Sequence, residues 1–254
     1  MKNNKLSQLL KEYPETKLLT QKWLSFNGIS RQLVSIYCKN GRLNKISRGL
    51  YVIPGHTPEW YDYIFTLQSQ LNIPIHVGGL TALALHEHIH DNYLSTTKDI
   101  ELYRKSHISL PTWINDSYND KSFIENKSNI FKNSNIGLIT YRANNTKITI
   151  SSPERAILEV ISNIKDKTHF SMIHILMDNL DTLDPTKIEN ILIDCTSELT
   201  KRYFLFLSER INHAWFKDIN LRTINAGTGS ICIATNGYFD KKYKITVPTF
   251  YKKK

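Results

Sequence analysis

The chain has 254 residues, 41% of them hydrophobic and 22% charged, with a formal net charge of +10. That is enough for one large domain or two smaller ones with real cores, and two is the better reading. No apolar run approaches the roughly 18 residues of a membrane span, and the N-terminal MKNNKLSQLLKEYPET lacks the apolar stretch and small-residue cleavage site of a secretory signal, so a cytoplasmic protein is expected. Cys38, Cys195 and Cys232 lie too far apart in sequence to suggest a disulfide framework or a cysteine zinc site; buried reduced thiols are expected instead.

The charge is unevenly spread. Residues 1–56 hold ten Lys/Arg and two Asp/Glu, a net of +8, whereas residues 57–254 hold 23 and 21, a net of +2. A polyanion would engage the first fifth of the chain, with an affinity that falls steeply as salt rises.

In that first fifth, Leu6, Leu9, Leu10 and Tyr13 recur at helical spacing until Pro14. A second helix is expected in LLTQKWLSFNG, with Thr20 as its cap, Trp23, Leu24 and Phe26 as packing residues, and Asn27-Gly28 as terminator. Ser30 caps a third, SRQLVSIYCKNG, which places Arg31, Ser35 and Lys39 on one face with Gln32 beside it, and turns Leu33, Ile36 and Tyr37 inward. The stretch RLNKISRGLYVIP then reads as two short strands turning at Arg48-Gly49, decorated by Arg42, Lys45 and Arg48.

Three helices followed by a basic hairpin is the element order of a winged helix-turn-helix. Such a domain sets the N-terminal residues of its last helix against base edges in the major groove and its wing on phosphates or the minor groove. The candidate contacts to double-stranded DNA are Ser30, Arg31, Gln32, Ser35, Lys39, Arg42, Lys45 and Arg48, with Arg31 and Gln32 as base readers.

A boundary is expected near residue 56, where the charge changes, so that residues 1–56 form the DNA-binding domain and residues 57–254 a larger mixed α/β domain in an α+β protein. In the second part, WYDYIFTLQSQL is helical by period, and IPIHVGGLTALALHEHIH reads as a strand, a Gly78-Gly79 turn and a helix. His86, Glu87 and His90 spell HExxH, in which two histidines bind zinc and the glutamate activates water. A zinc hydrolase is therefore one alternative, although no downstream segment supplies the extended spacing of a third ligand; packed or solvated histidines are expected, with no metal or other cofactor.

Further on, DIELYRKS reads as a strand, residues 115–135 as polar loops with short strands, and IGLITYR and NTKITIS as a hairpin around Asn144-Asn145. SSPERAILEVI has Ser152 as N-cap, Pro153 at N1 and Glu154 in the first turn, and three more helices follow to Ile211. Gly227-Thr228-Gly229-Ser230 is no phosphate loop, because it lacks the lysine signature and leads into a strand. Asn236-Gly237 is expected to join SICIAT to YFDKKYKITVP in a hairpin.

Several of these stretches resemble one family. GISRQLVSIYCKNGRLNKISRGLYVIPG is similar to the N-terminal winged helix of AbiEi antitoxins of type IV toxin–antitoxin systems. GGLTAL with its histidine-containing helix, the Pro111–Trp113 loop, SPERA, and KRYFLFLSE followed by HAWF resemble later parts of the same family, so the likeness runs over nearly the whole chain. The resemblance implies a regulator without enzymatic activity, involved in phage defence. It would repress its own operon at inverted repeats in promoter DNA, as two copies on two half-sites, and counter a cognate AbiEii-like nucleotidyltransferase toxin without requiring a stable complex. A stand-alone winged-helix transcription factor is the other alternative.

Overall fold

The computed structural model describes residues 5–89, 97–115, 121–164 and 167–252. It is mixed helix and sheet, and its contacts divide it into two compact units: Met1–Val77 with Thr97–Asn126 and Thr140–Ile150, and Gly78–Thr96 with Lys127–Ile139 and Ser151–Lys254. Neither unit is a single run of sequence.

The first unit opens with helix α1 (Lys5–Glu12), strand β1 (Leu18–Thr20) and helices α2 (Gln21–Phe26) and α3 (Arg31–Lys39). Strands β2 (Asn44–Ser47) and β3 (Leu50–Val52) complete a small sheet in the order β1-β3-β2, antiparallel throughout. The expected caps are present: the Thr20 hydroxyl accepts from Trp23 N and Ser30 from Leu33 N, each satisfying a helix N–H that has no intrahelical partner. Gly49, at φ 76°, makes the β2–β3 turn in a conformation that a side chain would strain. Leu6, Leu9, Leu24, Ile29, Val34, Tyr37 and Leu43 form the core beneath these elements.

Two packing expectations fail. Phe26 is 87% exposed and Ile36 50% exposed, because α2 is a short helix that buries Leu24, and α3 buries Val34 and Tyr37. Strand β1, ending at the Thr20 cap, was not expected, since three residues are too few to establish a period.

Helix α4 (Trp60–Phe65) runs on as one π-helical turn through Thr66–Gln70. It holds the N-terminal elements by polar contacts: Gln70 accepts from Thr20 N at 2.9 Å and donates to the Leu18 carbonyl at 2.6 Å, and Lys17 meets Asp62 at 3.3 Å. Beyond it lie β4 (Ile75–Val77), β5 (Asp99–Arg104), β6 (Ser122–Lys127), β7 (Leu138–Ala143) and β8 (Thr146–Ser151), forming a sheet in the order β6-β5-β4-β8-β7. Asn144, at φ 52°, turns the expected β7–β8 hairpin.

The second unit is mainly helical: α5 (Gly79–Leu85), α6 (Pro153–Ser162), α7 (Lys167–Asp178), α8 (Pro185–Asp194) and α9 (Glu198–Ile211). Its core gathers Ile157, Ile161, Phe170, Met177, Leu192, Phe204 and Leu207. A small sheet of β9 (Ile231–Cys232), β10 (Tyr238–Asp240) and β11 (Ile245–Val247) follows. Its order is β10-β11-β9, with β9 parallel to β11. The expected hairpin across Asn236-Gly237 is therefore absent, and β10 turns back onto β11 instead. Ile245 and Val247 are fully buried, so β11 takes the central place where both neighbours cover it. Of the cysteines, Cys195 is buried, Cys38 is half-buried and Cys232 is exposed, and all three are free.

Candidate nucleic-acid interface

No acidic residue occurs between Glu15 and Glu59, so everything presented by α2, α3 and the β2–β3 wing is neutral or positive. All eight candidate DNA contacts, Ser30, Arg31, Gln32, Ser35, Lys39, Arg42, Lys45 and Arg48, are exposed. The amphipathic period of α3 explains this: Val34 and Tyr37 anchor one face in the core, which leaves Arg31, Gln32, Ser35, Ile36 and Lys39 outside.

The fold gathers four of them. Arg31 and Ser35 of α3 and Lys45 and Arg48 of the wing line one open groove of about 680 Å³, together with Tyr51 and Trp113. The Gln21 N–H donates to the Gly49 carbonyl and the Tyr51 hydroxyl donates to Gln21 Oε1, at 2.9 and 3.3 Å, tying the start of α2 to the wing. Burial pushes the Tyr51 hydroxyl above its ordinary range, the Cys38 thiol adding to the rise and the positive charge of Arg31 opposing it. Desolvation likewise raises the Cys38 thiol against the pull of Lys45. These groups thus feel the cations of both α3 and the wing. Gln32, Lys39, Arg42 and Ser30 stand outside the groove lining, Ser30 at the helix start and Arg42 just beyond its end.

Sequence reasoning missed Ile36, an exposed apolar side chain among the polar ones of α3. The signal was available: Gln32, Ser35, Ile36 and Lys39 are spaced i, i+3, i+4, i+7, one helix stripe. An isoleucine in that stripe suits the C5-methyl group of thymine, which is the apolar feature of the major groove.

The HExxH segment has a different geometry from the one its spelling suggests. α5 ends at Leu85, His86 is its C-cap, and Glu87 has a left-handed φ of 63°, so His86 and Glu87 do not continue the helix a zincin site requires; His90 lies outside the described residues. His86 Nε2 lies 3.0 Å from the Ser151 carbonyl. Burial lowers its proton affinity, partly offset by that bond. Among the described residues, no group of three or more His, Cys, Asp or Glu is placed to hold a metal ion.

The loop at Gly227–Ser230 turns its carbonyls to a cation of the protein. The guanidinium of Arg202, buried on α9, donates to the carbonyls of Ala226 and Gly229. None of the described helices is long and apolar enough to cross a membrane.

Residues 2–95 match the family model described as a transcriptional regulator, AbiEi antitoxin N-terminal domain. Residues 97–248 match the companion model, a transcriptional regulator, AbiEi antitoxin, of type IV toxin–antitoxin systems. No curated protein matches the sequence. The fold is similar to the crystal structure of the Rv2827c protein from Mycobacterium tuberculosis, with a TM-score of 0.59 at 13% identity over 94% of this chain and 88% of that one.

Proposed function

The chain belongs to the AbiEi antitoxin family, the transcriptional regulators of type IV toxin–antitoxin systems, and on that premise we propose that it represses its own operon and neutralises a cognate AbiEii-like nucleotidyltransferase toxin. Repression is the work of residues 1–56, through α3 and the β2–β3 wing on double-stranded promoter DNA. Arg31 and Gln32 read bases from the helix start, while Lys45 and Arg48 hold phosphates from the wing and Ser30, Ser35, Lys39 and Arg42 fix the docking. Two copies bind the two halves of an inverted repeat. Residues 57–254 perform the antitoxin work, which needs neither catalysis nor a stable complex with the toxin, and the protein acts in the cytoplasm.

The observation that supports the DNA half is the coincidence of four expected contacts, Arg31, Ser35, Lys45 and Arg48, along one groove with no acidic residue in its described lining. A polyanion meets no repulsion there, and each neutralised phosphate releases counterions. The test uses the full-length chain with Arg31, Gln32, Lys45 and Arg48 all changed to alanine. In cells carrying a reporter fused to the operon's promoter, this variant is expected to lose repression yet still rescue growth from the co-expressed toxin. Loss of both activities in a folded variant would contradict the division of labour, and retained repression would contradict the DNA face.

A further inference from the structure

The wing lies at the margin of its sheet. In the order β1-β3-β2, strand β2 is an outer strand, and its pairing is irregular. Lys45 faces Tyr51 and Ser47 faces Leu50, so Ile46 is an extra residue on the β2 side. A bulge of this kind re-aims the side chains beside it and raises the local twist. The two strands have four and three residues, and a ribbon that short is marginal by itself. Even so, Lys45 and Arg48 line the same groove as Arg31 of α3, so something outside the ribbon fixes its direction.

Gln21, the first residue of α2, makes that tie. Its backbone N–H, which has no acceptor within the helix, donates to the Gly49 carbonyl at the wing's turn at 2.9 Å. Both ends of its side-chain amide are held as well: Nε2 donates to the Ser25 hydroxyl at 3.1 Å, and Oε1 accepts from the Tyr51 hydroxyl at 3.3 Å. A Cβ on Gly49 would lie 3.8 Å from Gln21 Cβ, so the turn packs directly on this residue. Tyr51 stands opposite Lys45 on one face of the ribbon, and its hydroxyl feels the charge of Arg31. Gln21 and Tyr51 both line the groove.

We propose that Gln21 is a positioning residue for DNA binding: by holding Tyr51 and the Gly49 turn, it sets the wing at the angle to α3 from which Lys45 and Arg48 reach phosphates. The inference rests on the reading of α3 and the wing as the DNA interface. Neither Gln21 nor Tyr51 is charged, so changing them leaves the cations of the face in number as they were and alters only where two of them stand. One neutral hydrogen bond adds little to the stability of a fold, whereas a phosphate contact disappears once its donor stands beyond hydrogen-bond reach.

The experiment titrates full-length protein with the operon's upstream DNA across a salt series. Wild type is compared with Tyr51→Phe, which removes only the hydroxyl, and with Gln21→Met, which keeps the stem and the backbone N–H. Each variant is expected to bind about three- to tenfold more weakly, with a salt slope shallower by about 1 to 2 and with wild-type discrimination against sites mismatched at the bases read from α3. The double variant should be no weaker than Gln21→Met alone, because both changes remove the same bond. In a chain already carrying alanine at Lys45 and Arg48, Tyr51→Phe should cause no further loss, since no phosphate contact is left for the wing to place. A merely stabilising bond would leave the salt slope as it is and act alike in both backgrounds. Unchanged affinity and slope in folded Tyr51→Phe and Gln21→Met, or equal losses with and without the wing cations, would overturn the proposal. Failure of the DNA reading itself looks different: alanine at Lys45 and Arg48 would then leave binding unaltered.

Discussion

Ile36 is where one residue changes the account of how bases are read. Apolar by sequence and half-exposed in the fold, it would offer the proposed interface a contact suited to thymine methyl groups. Replacing the thymines of the bound site by uracil, one at a time, is expected to weaken wild-type binding several-fold at one position. Ile36→Ala should be indifferent to that replacement, whereas equal sensitivity in both proteins would remove Ile36 from the interface. Among the charged residues, Arg31→Ala and Gln32→Ala should each relax sequence discrimination by about 1–3 kcal/mol, measured against mismatched sites. Lys45→Ala and Arg48→Ala should weaken all sequences alike and reduce the salt slope by about 1 each. His86 supplies a pH prediction. Its proton affinity is depressed in the folded state, so the unfolded chain binds the proton more readily. The stability this confers is complete above the ordinary histidine pKa of 6.5 and is lost as pH falls through the lower folded value. In denaturant titrations, wild type should lose more stability over that range than His86→Gln; identical pH profiles would refute the assignment.

Among elements, legibility followed the strength of the local signal. The caps Thr20, Ser30 and Ser152 and the helix start at Pro153 could be read directly, because each rests on one side chain meeting one orphan N–H. The wing was legible because its turn needs a glycine, and all eight candidate contacts proved exposed. The β9–β11 pairing was not, because a parallel partner fourteen residues away leaves no turn signature, whereas Asn236-Gly237 imitates one. Nor did the sequence show that α5 stops at Leu85: HExxH presupposes a continuous helix, and the left-handed Glu87 is a tertiary outcome. The Arg155–Glu159 pair was not read from the sequence, because Gly79, which also bonds Glu159, lies far from it along the chain. Because Glu159 is wholly buried within that network, Glu159→Ala should leave Arg155 uncompensated and destabilise the fold by about 3–5 kcal/mol in urea unfolding. A loss below 1 kcal/mol would mean that the pair is not a structural anchor.

For the whole molecule, the charge break near residue 56 is a feature of composition, whereas compactness cuts the chain differently. The unit that contains α3 and the wing also takes in a five-stranded sheet drawn from three separate segments, and such an arrangement leaves no boundary in the sequence. Gln70 and Asp62 reach back to Thr20, Leu18 and Lys17, so a truncation at residue 56 would remove partners of buried backbone groups. Function is therefore best dissected in the full-length chain. The central claim, that α3 and the wing bind promoter DNA, is tested most directly by measuring affinity for the operon's upstream DNA across a salt series. Wild type is compared with the variant carrying alanine at Arg31, Gln32, Lys45 and Arg48. The account predicts specific binding with a steep salt dependence in wild type, and in the variant a large loss of affinity with a slope shallower by about 2, one for each phosphate-holding cation removed; a folded variant that bound the promoter as tightly and with the same slope as wild type would contradict it.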